Sequence, residues 1–265
     1  MSYLSRIDHA FSDAPVLPLS ENGRYVLFSD CHRGIGTSND NFLKNQHLYF
    51  AALNYYYQHS FCYIELGDGD ELWENRNFSA IQNIHSNVFW LLSLFYEEHR
   101  LFMLFGNHDI AKKDFHPFSD CCFHEGLRLK DCVTGQELYL THGHQADFFN
   151  STLWRLSCFL VRYLWKPLEQ FGVLDPTSAA KNYKVKNKTE QRLQEWTKLH
   201  KKILITGHTH RPVLGSKDSL YFNTGSCVHP RCITCIELVH RELSLVKWTL
   251  STKPDRTLFV AREVL

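Results

Sequence analysis

The sequence predicts an α/β domain, and three observations carry that reading. Three short apolar runs, at 24–29, 62–66 and 101–105, each stop abruptly at polar residues of the kind that bind metals: Asp30, Gly67-Asp68 and Gly106-Asn107-His108-Asp109. Between them lie stretches of helical character, 42–58 and 79–99. In the second, Ile81, Ile84, Val88, Leu91, Leu92 and Phe95 recur at spacings of three and four. Strand, helix, strand, helix, strand is the pattern of a parallel sheet with right-handed crossovers, whose ligands bind beyond the carboxyl ends of the strands.

The remaining elements follow in order. Runs at 127–130 and 137–140 flank Thr134-Gly135, which predicts a hairpin, and Thr141-His142-Gly143-His144 follows the second of them. Residues 202–206 form an apolar run that leads into Gly207-His208-Thr209-His210, and strands are expected at 220–223, 232–239, 242–250 and 257–262. These predict a second, largely antiparallel sheet packed on the first. Residues 146–200 differ in composition, with nine aromatics and nine Lys/Arg against five Asp/Glu. Leu153, Leu156, Leu160 and Leu164 stand at helical spacing, Pro167 and residues 172–176 break the run, and a second helix is expected over 178–200. The stretch reads as a helical insertion, a cap over the site within a single domain spanning 1–265.

Composition bounds the function. At 265 residues the chain suits one large domain with an insertion, and 44% hydrophobic against 22% charged residues excludes wholesale disorder. A formal charge of +1 argues against a whole-surface nucleic-acid binder, although a local basic patch would suffice. Sixteen histidines prompt a search for metal ligands. No run reaches the roughly 18 apolar residues of a membrane span, and residues 1–6 lack the start of a signal peptide. Nine scattered cysteines read as reduced, mostly buried thiols, so a cytoplasmic location is expected. Cys232 and Cys235 have ligand-like spacing but no second pair; they read as strand residues in the core, and Cys121-Cys122 as core likewise.

Five motifs carry the chemistry: Asp30-Cys31-His32, Gly67-Asp68, Gly106-Asn107-His108-Asp109, the lone His142, and Gly207-His208-Thr209-His210. Each alone is weak. Their order, their place at strand ends and their mixture of oxygen and imidazole ligands make them jointly specific for divalent first-row metals. The set resembles the calcineurin-like metallophosphoesterase superfamily, whose signature is D-x-H, G-D, G-N-H-D/E, H and G-H-x-H, and the match runs from Asp30 to His210. The resemblance implies a four-layer αββα sandwich of two mixed β-sheets holding two divalent metal ions, manganese foremost with iron or zinc as alternatives. It assigns Asp30, His32, Asp68 and His210 to one metal and Asp68, Asn107, His142 and His208 to the other, with Asp68 bridging. A carboxylate between two cations roughly 3.5–4 Å apart offsets their repulsion, and a hydroxide made available near neutral pH would attack phosphorus in line.

His108, next to a ligand, is expected to protonate the leaving oxygen, with Asp109 orienting it. Arg33 and Arg211 immediately follow ligands and are expected either to contact phosphate or to hold the loops as ion pairs, with equal weight. His144 is a candidate for substrate contact or for support behind the ligands. His47, His85 and His99 read as surface or helix-face residues. Lys181, Lys184, Lys186 and Lys188 read as a solvated face, with only their position beside a phosphate site favouring function.

A nearer resemblance concerns Gly67-Asp68-Gly69-Asp70-Glu71-Leu72-Trp73, which looks like the G-D-x-x-E/D-x-W segment of UDP-2,3-diacylglucosamine pyrophosphohydrolases. Those enzymes carry a lipid-facing helical insertion where this chain has 146–200. That resemblance implies a phosphorylated small-molecule or lipid-linked substrate, with peripheral membrane contact through the insertion. Two departures weaken it: the subgroup has Arg where this chain has His108, and Gly69-Asp70 replaces an aliphatic and an aromatic residue. A histidine there favours general phosphomonoester or phosphodiester cleavage, on nucleotides or phosphoproteins. The rival of another class is a non-catalytic metal-binding scaffold, since fold alone does not fix activity.

Overall fold

The computed structural model describes residues 1–37, 40–114, 118, 123–165 and 182–265. Cys121, Cys122, Pro167, residues 172–176, the start of the helix expected from 178, and Lys181 lie outside the described residues. Strands β2 (Arg24–Phe28), β3 (Cys62–Leu66) and β4 (Leu101–Leu104) pair in parallel, as expected, with β5 (Phe123–His124) added at the edge. On the other side β2 pairs antiparallel with β10 (Cys232–Val239), which continues through β11 (Glu242–Thr252) to β12 (Leu258–Val264), completing a seven-stranded sheet. A five-stranded sheet takes the order β1 (Val16–Leu19), β6 (Gly126–Asp131), β7 (Glu137–Thr141), β8 (Ile203–Thr206), β9 (Tyr221–Asn223).

The expected second sheet is therefore corrected in two ways. The three C-terminal strands extend the first sheet, and within the five-stranded sheet only β6 and β7 run antiparallel. The reason lies in β10, which is buried on both faces: Ile233 and Cys235 join the core beneath helices, while Ile236 and Leu238 enter the core between the sheets. A strand apolar on both sides belongs in the middle of a covered sheet, and β10 has β2 on one side and β11 on the other.

Strict alternation builds the layers. Tyr25 and Leu27 of β2 face Leu138 and Leu140 of β7 across the inter-sheet core, whereas Val26 and Phe28 face α2 (Gln46–Gln58) and α4 (Ser86–Glu97). Tyr139 and Leu204 point the other way, against Ile7 of α1 (Tyr3–His9) and Leu193 and Trp196 of a long helix, Tyr183–His200. Helices, sheet, sheet, helices: the four-layer αββα sandwich is the observed architecture. The second half of the presumed insertion is thus the outer helical layer of the five-stranded sheet. Its start is capped by the Asn182 side chain, and it ends at Lys201 with φ +53°.

Neither α1 nor β1 was expected from the sequence. Strand β1 holds Pro18 and lies at a sheet edge, where a missing N–H costs no ladder bond. The helix expected over 79–99 is two, α3 (Phe78–Ile84) and α4, broken at His85. His85 is fully buried, and its Nε2 lies 2.9 Å from Asp40 Oδ2. Far from a surface residue, its ring is drawn to a carboxylate in the core, and the helix turns there. Among the described residues, the rest of the stretch 146–200 contains α5 (Phe148–Ser151), α6 (Trp154–Leu160) and a wide turn, Val161–Trp165. Cys235 is in the core as expected, and Cys31, Cys62, Cys132, Cys158, Cys227, Cys232 and Cys235 are free thiols.

Candidate metal centre

The carboxyl ends of β2, β3, β4, β7 and β8 open on one point, and six of the seven residues assigned to metals meet there in two groups. In one, Asp30, His32 and His210 have ligand atoms within 4.8 Å of one another; in the other, Asp68, His142 and His208 do. Asp30 Oδ1 lies 3.1 Å from His210 Nε2, and the Nε2 atoms of His32 and His210 are 3.3 Å apart. Asp68 Oδ2 lies 3.1 Å from His142 Nε2 and 3.9 Å from His32 Nε2, so it faces one histidine of each group.

Local backbone makes this convergence. Asp30, His32, Asp68, His208 and His210 all have φ between +49° and +67°. Such conformations are costly for residues with a Cβ and persist only where surroundings enforce them. Each turns a side chain out of the strand direction into the crevice. Gly67, at φ +89°, and Gly106 let neighbouring strand ends touch: a Cβ on Gly106 would lie 2.2 Å from Asp68 Oδ1. Asp30 Oδ2 accepts from the Ser29 hydroxyl and from the His208 N–H at 2.9 Å, leaving Oδ1 for the centre. Asp68 Oδ1 accepts from the His108 N–H at 2.8 Å, and His142 Nδ1 is fixed by the Leu66 carbonyl at 2.8 Å.

These buried residues could hold metal ions. Among the described residues, Asp30 Oδ1, Asn107 Oδ1, His142 Nε2 and His208 Nε2 are buried without a hydrogen-bond partner. Three of these atoms, on Asp30, His142 and His208, belong to the two groups, and unpaired lone pairs gathered there are what a bound cation would satisfy, since buried polar groups otherwise find partners. The fourth is on Asn107, the seventh expected ligand. Without metal, burial would push His32 and His142 down, but Glu71 outweighs it at His32 and Asp68 at His142, raising them to about 10 and about 9. Burial would raise Asp30 and Asp68 and lowers His210; His210 and His142, the chief charges facing the two carboxyls, instead hold them well below the usual range.

Other expected residues fall elsewhere. Asp109 does not orient His108. Its carboxylate accepts from the N–H groups of Gly106 at 2.7 Å, Gly69 at 3.0 Å and Asp68 at 3.1 Å, and from Lys112 Nζ at 2.7 Å. Converging backbone donors capture it, and it ties the ends of β3 and β4 together. The orienting carboxylate is Glu71, with Oε1 2.8 Å from His108 Nδ1 and Oε2 2.9 Å from His32 Nδ1. Burial opposes the charge on Glu71, yet His108 and His32 hold its pKa low; burial likewise opposes the charge on His108, which Glu71 and Asp68 raise. The His108 ring also stacks on Trp73, centroids 4.2 Å apart.

Arg33 takes the ion-pair alternative. It is fully buried, with both guanidinium nitrogens on Glu65 at 2.9 and 3.0 Å and Nε on Asp70 at 2.7 Å. No substrate reaches it, and Lys112 joins the same network at 2.5 Å from Asp70. Arg211 is ion-paired with the buried Glu190, which also accepts from the Thr209 hydroxyl at 2.9 Å, but keeps 44% of its side chain exposed. His144 is 2% exposed, its ring 5.5 Å from that of His142, and burial holds it neutral; it offers support behind the ligands and not a face to substrate. Glu71, Trp73, Asp147 and Glu190 were missed as parts of the site. Asp147 Oδ2 lies 3.9 Å from His208 Nε2. For Glu71 and Trp73 the resemblance of the 67–73 segment was the available signal; Glu190 lies on a helix far along the chain and had none.

No family model matches the sequence, and no curated protein matches it. Among solved structures, Vps29 of Chaetomium thermophilum is similar over 92% of this chain and 96% of that one, with 13% identity and a TM-score of 0.46. A likeness of that degree says nothing about the chemistry of this site.

Proposed function

We propose that this chain is a dinuclear metal-dependent phosphoesterase of the calcineurin-like kind, hydrolysing a phosphoester or pyrophosphate bond. The observation that carries the reading is the pair of buried groups Asp30, His32, His210 and Asp68, His142, His208, in which Asp30 Oδ1, His142 Nε2 and His208 Nε2 make no hydrogen bond. Two divalent cations held there, manganese foremost, would polarise the phosphate oxygens and supply a nucleophile from water near neutral pH.

The chain's own residues do the rest. Asp68 spreads one carboxylate between the two groups. Glu71 fixes Nδ1 of His108, which leaves Nε2 for the leaving oxygen. Arg211, ion-paired with Glu190 but 44% exposed and next to His210 in sequence, would meet a phosphate oxygen. The insertion supports a substrate with an apolar part: Phe148, Phe149, Leu156, Phe159 and Tyr163 are each about half exposed. No described helix is long and apolar enough to cross a membrane, so contact with lipid would be peripheral.

The test is hydrolysis of bis(p-nitrophenyl) phosphate, p-nitrophenyl phosphate and a UDP-linked diphosphate by the purified chain with manganese. Activity on at least one, abolished by chelation and in Asp68→Ala, is the expected result. Turnover that survives both perturbations rejects the reading, and metal binding without turnover on the three substrates supports the scaffold alternative.

A further inference from the structure

The insertion reaches the proposed acid through two residues, Arg162, which holds backbone carbonyls of 72–73, and Trp73, whose indole lies on His108. Arg162, in the wide turn Val161–Trp165, donates from Nε to the Trp73 carbonyl at 2.5 Å and from Nη2 to the Leu72 carbonyl at 3.1 Å. Those two carbonyls belong to the short segment that follows Glu71, where no helix ladder satisfies them. Two further contacts join the same elements: Cys158 Sγ lies 3.9 Å from the Trp73 carbonyl, and Arg76 donates to the Tyr163 hydroxyl at 2.6 Å. Trp73 is only 3% exposed, and its indole lies nearly flat on His108, 25° between planes. His32 meets the same ring edge-on, its centroid 4.8 Å away. The His108 ring is thus held by Glu71 at Nδ1, by Trp73 on a face and by His32 at its side. Among the described residues, Trp73 is the one of these three whose backbone is anchored from the insertion.

We infer that Arg162 is a positioning residue for the leaving-group acid, acting through Trp73, so that the insertion sets the direction of the His108 Nε2–H. This rests on the phosphoesterase reading above. A guanidinium suits the task because its fixed fork spans two carbonyls at once, which a lysine ammonium on a flexible stem does not. If the fork is lost, the segment 72–73 is free to shift, the indole leaves the ring, and His108 keeps only its bond to Glu71, about which it can swing.

The experiment compares leaving groups. A p-nitrophenolate departs without a proton, whereas an alkyl oxygen needs one, so mispositioning the acid is felt on the second and not on the first. In the manganese-loaded full chain, Arg162→Met and Trp73→Leu are expected to lower kcat on an alkyl phosphoester by about tenfold or more while changing p-nitrophenyl turnover less than about twofold. Arg162→Lys is expected not to rescue the loss. Metal content, measured by elemental analysis, stays at the wild-type value. Equal losses on both leaving groups, or none on either, overturn the inference.

A second measurement does not depend on turnover. In the metal-free chain the His108 ring protons, stacked on an indole, are expected to resonate upfield, and Arg162→Met is expected to move them toward the value of an unstacked histidine. An unmoved resonance overturns the inference even if the enzyme is active. A wild-type chain that hydrolyses neither these esters nor the UDP-linked diphosphate overturns the phosphoesterase reading, and the resonance alone then decides whether the anchor holds the ring.

Discussion

Glu71 carries two histidines on one carboxylate, and that sharing makes its substitution informative. Each oxygen accepts from a different ring, His32 and His108. In Glu71→Gln one oxygen becomes an amide nitrogen that cannot accept, so one ring loses its hold while the side chain's shape is kept. If His108 is released, kcat on substrates with poor leaving groups falls by about 10²-fold, the lower range for loss of a positioned acid. If His32 is released, manganese affinity falls with it, by about 10- to 100-fold, as for other partners of metal-ligating histidines. Steady-state rates and a metal titration on the same variant separate the two, and a Gln variant unchanged in both would show that Glu71 orients neither. At this scale the meeting of six candidate ligands was legible because metal chemistry restricts residue types and the motifs keep their order. Asp109 was not: adjacency to His108 suggested contact, but neighbours on a tight turn need not point the same way, and five donors lay on the other side. Arg33 likewise sits beside a ligand in sequence, yet its carboxylate partners come from β3 and the loop after it.

Elements place these side chains by bending sharply at their ends. Gly106 lies where the end of β4 passes Asp68, and an added Cβ would meet the Asp68 carboxylate and backbone at 2.2 and 2.7 Å. Backbone cannot yield as a flexible side chain would, so Gly106→Ala is expected to displace Asp68 and abolish tight manganese binding, with calorimetry as the measure. Retained affinity would mean that the strand ends can part without cost. Behind the centre, Arg33 and Lys112 neutralise most of the charge on Glu65, Asp70 and Asp109, all in the core. Lys112→Met leaves buried carboxylates uncompensated and is expected to destabilise the fold by about 3–5 kcal/mol in urea unfolding. A loss below about 1 kcal/mol, the scale of an exposed pair, would show that water reaches the cluster. Strands β2 to β4 could be read from sequence because each is an apolar run with an abrupt stop. The break at His85 could not, since a helical spacing of apolar residues continues straight through it and the partner, Asp40, comes from a distant loop.

Across the whole molecule, the two sheets bring ligands from both halves of the chain into one charged centre, and its proton balance sets how fold and metal depend on pH. Motif order revealed that the halves meet; the assignment of β10–β12 to the first sheet needed the three-dimensional burial of both faces of β10. With chelator present, Glu71 and Asp68 raise His32 and His142 to about 10 and about 9 against burial, whereas an unfolded histidine titrates near 6.5. The folded chain therefore holds more protons than the unfolded one between these values. The stability these contacts contribute is complete below pH ~6.5 and is lost as pH rises through 9 to 10. Metal binding runs the other way, because both histidines must be neutral to act as ligands: at pH 7 loading expels about two protons per chain, and affinity climbs with pH. His210, kept low by burial despite Asp30, adds no competing proton at pH 7. The melting temperature of the chelated protein should thus fall from pH 6.5 to 10 relative to the manganese-loaded protein, and the gap between the two should widen steadily. Calorimetry in buffers of different ionisation enthalpy counts the protons. A gap that narrows with rising pH, or proton uptake on loading, would mean that His32 and His142 are not the groups displaced by the metals.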